Sequence, residues 1–138
     1  MKSELRVPSD LCFMKIVENW LLGCLELTLA NSIDYLYQSA CIRLVLIEAY
    51  SNAVRHAHKN QKDIPILLRL EVKDRNVTLE IWDHGEGFDL SNYSPPNPEE
   101  KKECGYGWLI MTRLMDKVEY RLKLNGGNCL TLETTLPQ

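Results

Sequence analysis

Between Leu11 and Leu25, apolar residues recur every three or four positions, at Leu11, Met14, Val17, Trp20, Leu21, Cys24 and Leu25. That spacing predicts an amphipathic helix laid on a sheet, with Lys15, Glu18 and Asn19 on its outer side. Glu4 to Val7 predict a short edge strand stopped by Pro8, and Ser9 or Asp10 is placed to cap the helix that follows. After a break around Asn31 and Ser32, a second helix is expected to run to about Lys59, with Ile33, Tyr37, Ala40, Cys41, Leu44 and Ile47 as its apolar stripe. The period then changes from helical to strand-like. Ile66, Leu68, Leu70 and Val72 alternate with Leu67, Arg69, Glu71 and Lys73, and Val77, Leu79 and Ile81 alternate again beyond the polar turn Lys73 to Asn76. Two such runs make a hairpin with one face on the helices and the other wet.

Periodicity disappears from Leu90 to Cys104. Pro95, Pro96 and Pro98, followed by the charge run from Glu99 to Glu103, suit neither a strand nor a helix interior. A long loop inside a compact domain is usually a lid or a binding loop, so a lid is expected at about 89–104. Gly105 and Gly107 open an apolar helix that reaches Met115. Val118, Tyr120, Leu122 and Leu124, the turn from Asn125 to Asn128, and Leu130, Leu132, Thr134 and Leu136 predict a terminal hairpin. The sum is a two-layer α/β (α+β) sandwich, with helices on one face of a mixed, mostly antiparallel sheet, in a single domain over 1–138.

Composition narrows the class without naming a function. A chain of 138 residues, 45% of them hydrophobic, can bury a core of its own. A net charge of −3 with interspersed signs leaves no footprint for direct nucleic-acid or anionic-membrane binding. No window is apolar enough to cross a bilayer, and Met1 to Asp10 lacks a basic start and an apolar run, so a cytoplasmic protein is expected. The five cysteines, Cys12, Cys24, Cys41, Cys104 and Cys129, form no C-x-x-C pair and no zinc-like spacing with His56, His58 or His84. They read as small core residues or free thiols in a reducing compartment.

The run from Glu48 to His58, in the most helix-like part of the chain, carries the first candidate chemistry. Glu48, Asn52 and His56 are four apart, which stacks a carboxylate, an amide and an imidazole along one helix face, about 5.4 Å per turn. If that face continues the apolar stripe, the helix runs out of the core into a cavity. The alternative is a C-terminal half that rotates into solvent. Asp83, Gly85 and Gly87, at the end of the second hairpin strand, make a tight turn whose glycines let backbone approach a flat ligand. Gly105, Tyr106 and Gly107 place backbone N–H groups at a positive helix end, a seat for phosphate. Each signal alone is common in unrelated loops.

Their order is more specific. A helix with E-x-x-x-N-A-x-x-H-A, a hairpin, D-x-G-x-G at a strand end, a Pro-rich loop, G-x-G opening a helix and a terminal hairpin together resemble the GHKL family of ATP-binding domains, from about Leu11 to Pro137. Within it, E-A-Y-S-N-A-V-R-H-A-H and G-Y-G-W-L-I-M-T-R-L-M-D look like the small stand-alone serine/threonine kinases that act as anti-sigma factors. Met1 to Asp10 leaves no room for the dimerising helical hairpin that a sensor histidine kinase would need.

The resemblance implies a Bergerat-type fold with an ATP lid, and ATP and Mg²⁺ as cofactors. It implies Asn52 as the Mg²⁺ ligand, Glu48 as the general base toward an attacking serine, and Asp83 as acceptor for the exocyclic amine of adenine. Gly85 and Gly87 would lie against the base, and Gly105, Tyr106 and Gly107 would present N–H groups to the phosphates. The implied partners are a small serine-bearing antagonist and a sigma factor, with a possible homodimer through the N-terminal strand and its adjoining helix. A non-catalytic, ATP-gated binding module is the alternative. A structural role is expected for His56, surface positions for His58 and His84, and either a γ-phosphate contact or a solvated charge run for Lys101 and Lys102. The chain departs from the family twice: Asn128 follows Gly127 where a threonine is usual, and Glu103-Cys104 precedes Gly105 where a basic residue is common.

Overall fold

The computed structural model describes residues 1–31, 34–57, 62–85, 106–124 and 126–136. The expected lid at 89–104, with Lys101 and Lys102, lies outside the described residues, as do Gly87, Gly105, Glu103, Cys104, Ile33 and His58. So do the side chains of His56 and Tyr106.

Strand β1 (Lys2–Pro8) leads through a 3₁₀ turn (Leu11–Phe13) into α1 (Met14–Leu29), and α2 (Tyr35–Asn52) continues as a π-helical turn (Ala53–Ala57). Strands β2 (Pro65–Lys73) and β3 (Asn76–Asp83) form the first hairpin. Helix α3 (Tyr106–Leu114) precedes the second, β4 (Lys117–Leu124) and β5 (Gly127–Thr135). The sheet order is β1-β2-β3-β5-β4. Every pairing among the described residues is antiparallel, a narrower result than the mixed, mostly antiparallel sheet expected.

Strand alternation divides the sheet into two faces. Ile66, Leu68, Leu70, Val72, Val77, Leu79, Ile81, Leu130 and Leu132 are buried and meet the helices. Glu4, Arg69, Glu80 and Trp82 lie on the outer face, where Arg69 bonds Glu4 at 2.8 Å and sits 5.7 Å from the Trp82 ring centroid. From α1 come Val17, Leu21, Leu25 and Leu29, all buried. Full burial of each such side chain stabilises the fold by roughly 1.5–3 kcal/mol. Asp10 is the cap, its Oδ1 accepting from the Cys12 N–H at 3.0 Å. The fully buried Tyr50 ties α2 to the end of β1 by donating to the Pro8 carbonyl at 2.7 Å, with the Asp10 carbonyl at 2.9 Å.

Helix α2 corrects the expected stripe. Its buried face is Ser39, Ile42, Val45, Leu46, Ala49 and Tyr50, continued by Ala53. Tyr37 and Leu44 point outward, 65% and 41% exposed, and Ala40 is exposed too. The physical reason is that α2 is apolar on nearly every side, so spacing alone offers two faces of similar hydrophobicity. The sheet takes the one rich in β-branched and branched aliphatic side chains, which pack densely on a pleated surface. Glu48 and Asn52 consequently lie on the flank of the helix, half-buried, rather than at the end of its core stripe.

Candidate functional site

The site forms where α2, the start of α3 and the ends of β3 and β5 converge. Glu48 and Asn52 occupy the last two turns of α2, one turn apart, and the helix widens into its π turn directly after Asn52. There the Ala53 N–H reaches back to the carbonyls of both Ala49 and Tyr50. Such widened turns are uncommon and cluster at functional positions. The π turn in turn packs against β3.

Gly107 joins two motifs that are far apart in sequence. It sits in the first turn of α3, and a Cβ built on it would meet Glu48 Oε2 at 2.6 Å, with Glu48 Cδ at 3.4 Å and Cβ at 3.6 Å. Its φ is not in the left-handed region, so backbone conformation does not require glycine there. The requirement comes from the carboxylate, which occupies the space a side chain would fill. Glu48 therefore rests against the N-terminal turn of α3, where unpaired N–H groups favour negative charge.

Asp83 ends β3 on the inner face, 1% exposed. It stands directly opposite Asn128 in the β3–β5 register. Its Oδ1 accepts from Asn128 Nδ2 at 2.7 Å and from the Gly85 N–H at 3.2 Å. Its Oδ2 accepts from the Tyr120 hydroxyl at 2.8 Å. Asn128 also donates to the Gly85 carbonyl at 3.0 Å, while its Oδ1 accepts the Lys123 N–H at 2.9 Å. That last bond lies where the β4–β5 register shifts between Arg121 and Leu124, and Lys123 is itself at φ 54. One buried amide thus supports the acid, holds the Asp83–Gly85 turn and satisfies a backbone donor freed by the bulge.

Close backbone approach completes this corner. A Cβ on Gly127 would lie 2.9 Å from the Asp83 carbonyl and 3.0 Å from His84 Nδ1. His84 is exposed, as expected, and its Nδ1 lies 3.3 Å from the Gly126 carbonyl. Gly126, at φ 85, takes the left-handed position in the β4–β5 turn.

The structure thus gathers Glu48 with Gly107 on one side and Asp83, Gly85 and Asn128 on the other. Asn128 replaces the usual threonine without loss of a donor to the acid. Tyr120 was missed. Its place in the alternation of β4 marks it as an inward residue, but nothing in sequence indicates that its hydroxyl reaches across β5 to Asp83. Among the described residues, no three His, Cys, Asp or Glu side chains gather as a metal centre. Two hollows bounded by described residues lie elsewhere: one of about 260 Å³ on the outer face beside Glu4, Arg69 and Glu80, and one of about 280 Å³ beside Asn76, Asp116 and Glu133.

Residues 15–134 match the model of the histidine kinase-like ATPase domain. The serine-protein kinase RsbW of Oceanobacillus iheyensis is 29% identical over 125 residues, 84% of this chain and 76% of that protein. The anti-sigma F factor of Anoxybacillus flavithermus is 30% identical over 95 residues, 66% of this chain and 65% of that protein. In fold, the chain is similar to the crystal structure of the RsbU and RsbW domains of Rv1364c from Mycobacterium tuberculosis. The TM-score is 0.69 at 17% identity, over 100% of this chain and 33% of that longer one. The helices on one face of an antiparallel sheet are this fold, and the chain belongs to the histidine kinase-like ATPase family.

Proposed function

We propose that this chain is an ATP-dependent protein serine/threonine kinase that acts as an anti-sigma factor. In this reading it binds a sigma factor when free, phosphorylates a serine on a small antagonist protein, and exchanges the two partners. The observation that carries the reading is the contact of Glu48 with the Cβ-free surface of Gly107. It sets a carboxylate against a helix N-terminus that suits phosphate, one turn from an amide oxygen that suits a hard cation.

Each residue then has a part. Asp83, anchored by Asn128 and Tyr120, accepts a hydrogen bond from the adenine amine, and the Gly85 turn lies against the base. Asn52 offers one oxygen to Mg²⁺, whose other ligands would be phosphate oxygens and water. This fits a site in which the described residues supply no acid cluster. The ion, when bound, neutralises charge developing on the transferred phosphoryl group. Glu48 takes the proton from the serine hydroxyl as its oxygen bonds to the γ-phosphorus. The bond from that phosphorus to the β,γ-bridging oxygen breaks, and ADP leaves with the electron pair. The first turn of α3 would present N–H groups to the phosphates.

A cytoplasmic location is part of this reading, and among the described residues no helix is long and apolar enough to cross a membrane. A homodimer through β1 and α1 has support in the fold. Strand β1 forms one edge of the sheet, and Ile16 and Leu27 on the neighbouring helix are exposed.

The test is transfer of labelled phosphate from ATP to a cognate antagonist. Transfer by the native protein that Glu48→Gln abolishes, with ATP still bound, is expected. ATP binding without transfer to any serine rejects the kinase and leaves an ATP-gated binding module, and transfer that survives Glu48→Gln rejects Glu48 as the general base.

A further inference from the structure

We propose that Tyr120 is a positioning residue of the nucleotide base pocket. Through its hydroxyl it fixes the oxygen of Asp83 that reads the adenine amine. The proposal rests on the ATP reading above and assigns a role to a residue outside the family motifs.

The argument begins with how a buried carboxylate is held. Asp83 is 1% exposed and belongs to the inner row of β3 together with Val77, Leu79 and Ile81. A carboxylate offers about four acceptor directions, two on each oxygen. The two on Oδ1 are taken by Asn128 Nδ2 at 2.7 Å and the Gly85 N–H at 3.2 Å. One on Oδ2 is taken by the Tyr120 hydroxyl at 2.8 Å. Among the described residues, the remaining direction on Oδ2 has no donor. A base that presents one N–H at that point completes the shell. One that presents a C–H or a carbonyl leaves a buried acceptor short.

Tyr120 controls where that direction points. Asn128 and Gly85 both act on Oδ1, so without a third donor the carboxylate can swing about Oδ1 and carry Oδ2 away from the base. Tyr120 has little freedom of its own. It faces Leu130 in the β4–β5 register and packs against the core, and its ring leaves only two side-chain torsions. The phenol also reaches Asp83 from a different strand than Asn128 does. The acid is thereby held from β5 on one oxygen and from β4 on the other.

The experiment compares ATP with purine riboside triphosphate, which has the same ring and phosphates but no 6-amino group. Calorimetric titration of the full chain, native and Tyr120→Phe, gives the affinity ratio of the two nucleotides. Phenylalanine keeps the ring that packs on Leu130, and circular dichroism and a thermal melt check the fold. In Tyr120→Phe, ATP is expected to bind about tenfold more weakly while the deaminated analogue changes less than about twofold, so discrimination drops about tenfold. Asp83→Asn supplies the reference for lost discrimination. Equal weakening of both nucleotides means that Tyr120 acts on packing alone and overturns the proposal. So does an unchanged ratio, or tighter ATP binding. If the native protein binds no ATP, the nucleotide reading falls and this proposal with it. If it binds ATP and depends on Asp83 but not on the Tyr120 hydroxyl, only this proposal falls.

Discussion

Replacing Gly107 with alanine separates folding from chemistry at one atom. The added Cβ would sit 2.6 Å from Glu48 Oε2. Ordinary carbon–oxygen contact begins near 3.4 Å, so the carboxylate has to retreat by about 0.8 Å. The retreat costs the fold little, because Oε2 is the far end of a flexible side chain and the next atoms of Glu48 are already at 3.4 and 3.6 Å. Alanine also favours helix over glycine by up to about 1 kcal/mol, somewhat less in the first turn. The variant is therefore expected to melt at the native temperature or up to about 3 °C above it. Catalysis responds in the opposite sense. A general base displaced by nearly 1 Å from its proton loses on the order of 100-fold in rate. Phosphotransfer to the cognate antagonist at saturating ATP should drop by about that factor, while ATP affinity by calorimetry stays within about threefold. A Gly107→Ala protein that transfers phosphate at the native rate would refute both the contact and the role given to Glu48. One that unfolds would show Gly107 serving the backbone instead.

Other perturbations reach the remaining parts of the molecule. Asn128→Ala strips a buried bond from Asp83 and leaves the Lys123 N–H without its acceptor. Urea unfolding should show a loss of about 2–3 kcal/mol, with weaker ATP binding. Asn52→Ala is expected to abolish the Mg²⁺ dependence of nucleotide binding while the circular dichroism spectrum stays native. Burial raises the hydroxyl pKa of Tyr50 above its ordinary value, so the neutral form is the one the fold favours. Its contribution is complete below about pH 10 and is lost as pH rises through the folded value. Tyr50→Phe should lower stability at neutral pH by about 1 kcal/mol and flatten that alkaline decline in a urea-melt series. Cys129 is buried and its thiol is likewise raised by desolvation; the Cys12 thiol is raised as well, by Asp10 beside it, but it is exposed. Thiol labelling at pH 8 should modify Cys12 well before Cys129, as read by peptide mass mapping.

Strands were legible because half-buried antiparallel strands write their burial directly into alternation. Ile66, Leu68, Leu70, Val72, Val77, Leu79 and Ile81 are buried as the pattern requires, and β1 stops at Pro8. The stretch from Glu48 to Asn52 was legible as a unit, since four-residue spacing on a helix fixes which side chains stack. The orientation of that helix was not. Tyr37, Ala40 and Leu44 read as core because they are apolar, but α2 offers aliphatic side chains on both sides and only the sheet decides between them. The change within that helix was not legible either, because the π turn over Ala53–Ala57 that continues it is a backbone rearrangement with no signature in periodicity. Long-range polar contacts were the least legible. Tyr120 and Asp83 are 37 residues apart, and their bond depends on the register of two strand pairs and a bulge.

The displacement of Glu48 and Asn52 to the flank of α2 strengthens the case for a working site. At the end of a core stripe, both side chains would point at the sheet. A carboxylate there, buried without a cation, costs several kcal/mol, and a protein substrate could not approach it. On the flank both are half-buried, and Glu48 lies against Gly107 in the first turn of α3. Two rigid supports then define the site separately. The β3–β5–β4 sheet end holds the group that would read the base, and the α2–α3 junction holds the groups that would act on the phosphate. Because few contacts are shared, substitutions at Tyr120 or Asn128 should change which nucleotide binds, and substitutions at Gly107 or Glu48 should change what happens to it. Double variants across the two supports should be close to additive in free energy, and double variants within one support should not. Strong coupling between Tyr120→Phe and Gly107→Ala would show that the two halves move as one, and the division drawn here would be wrong.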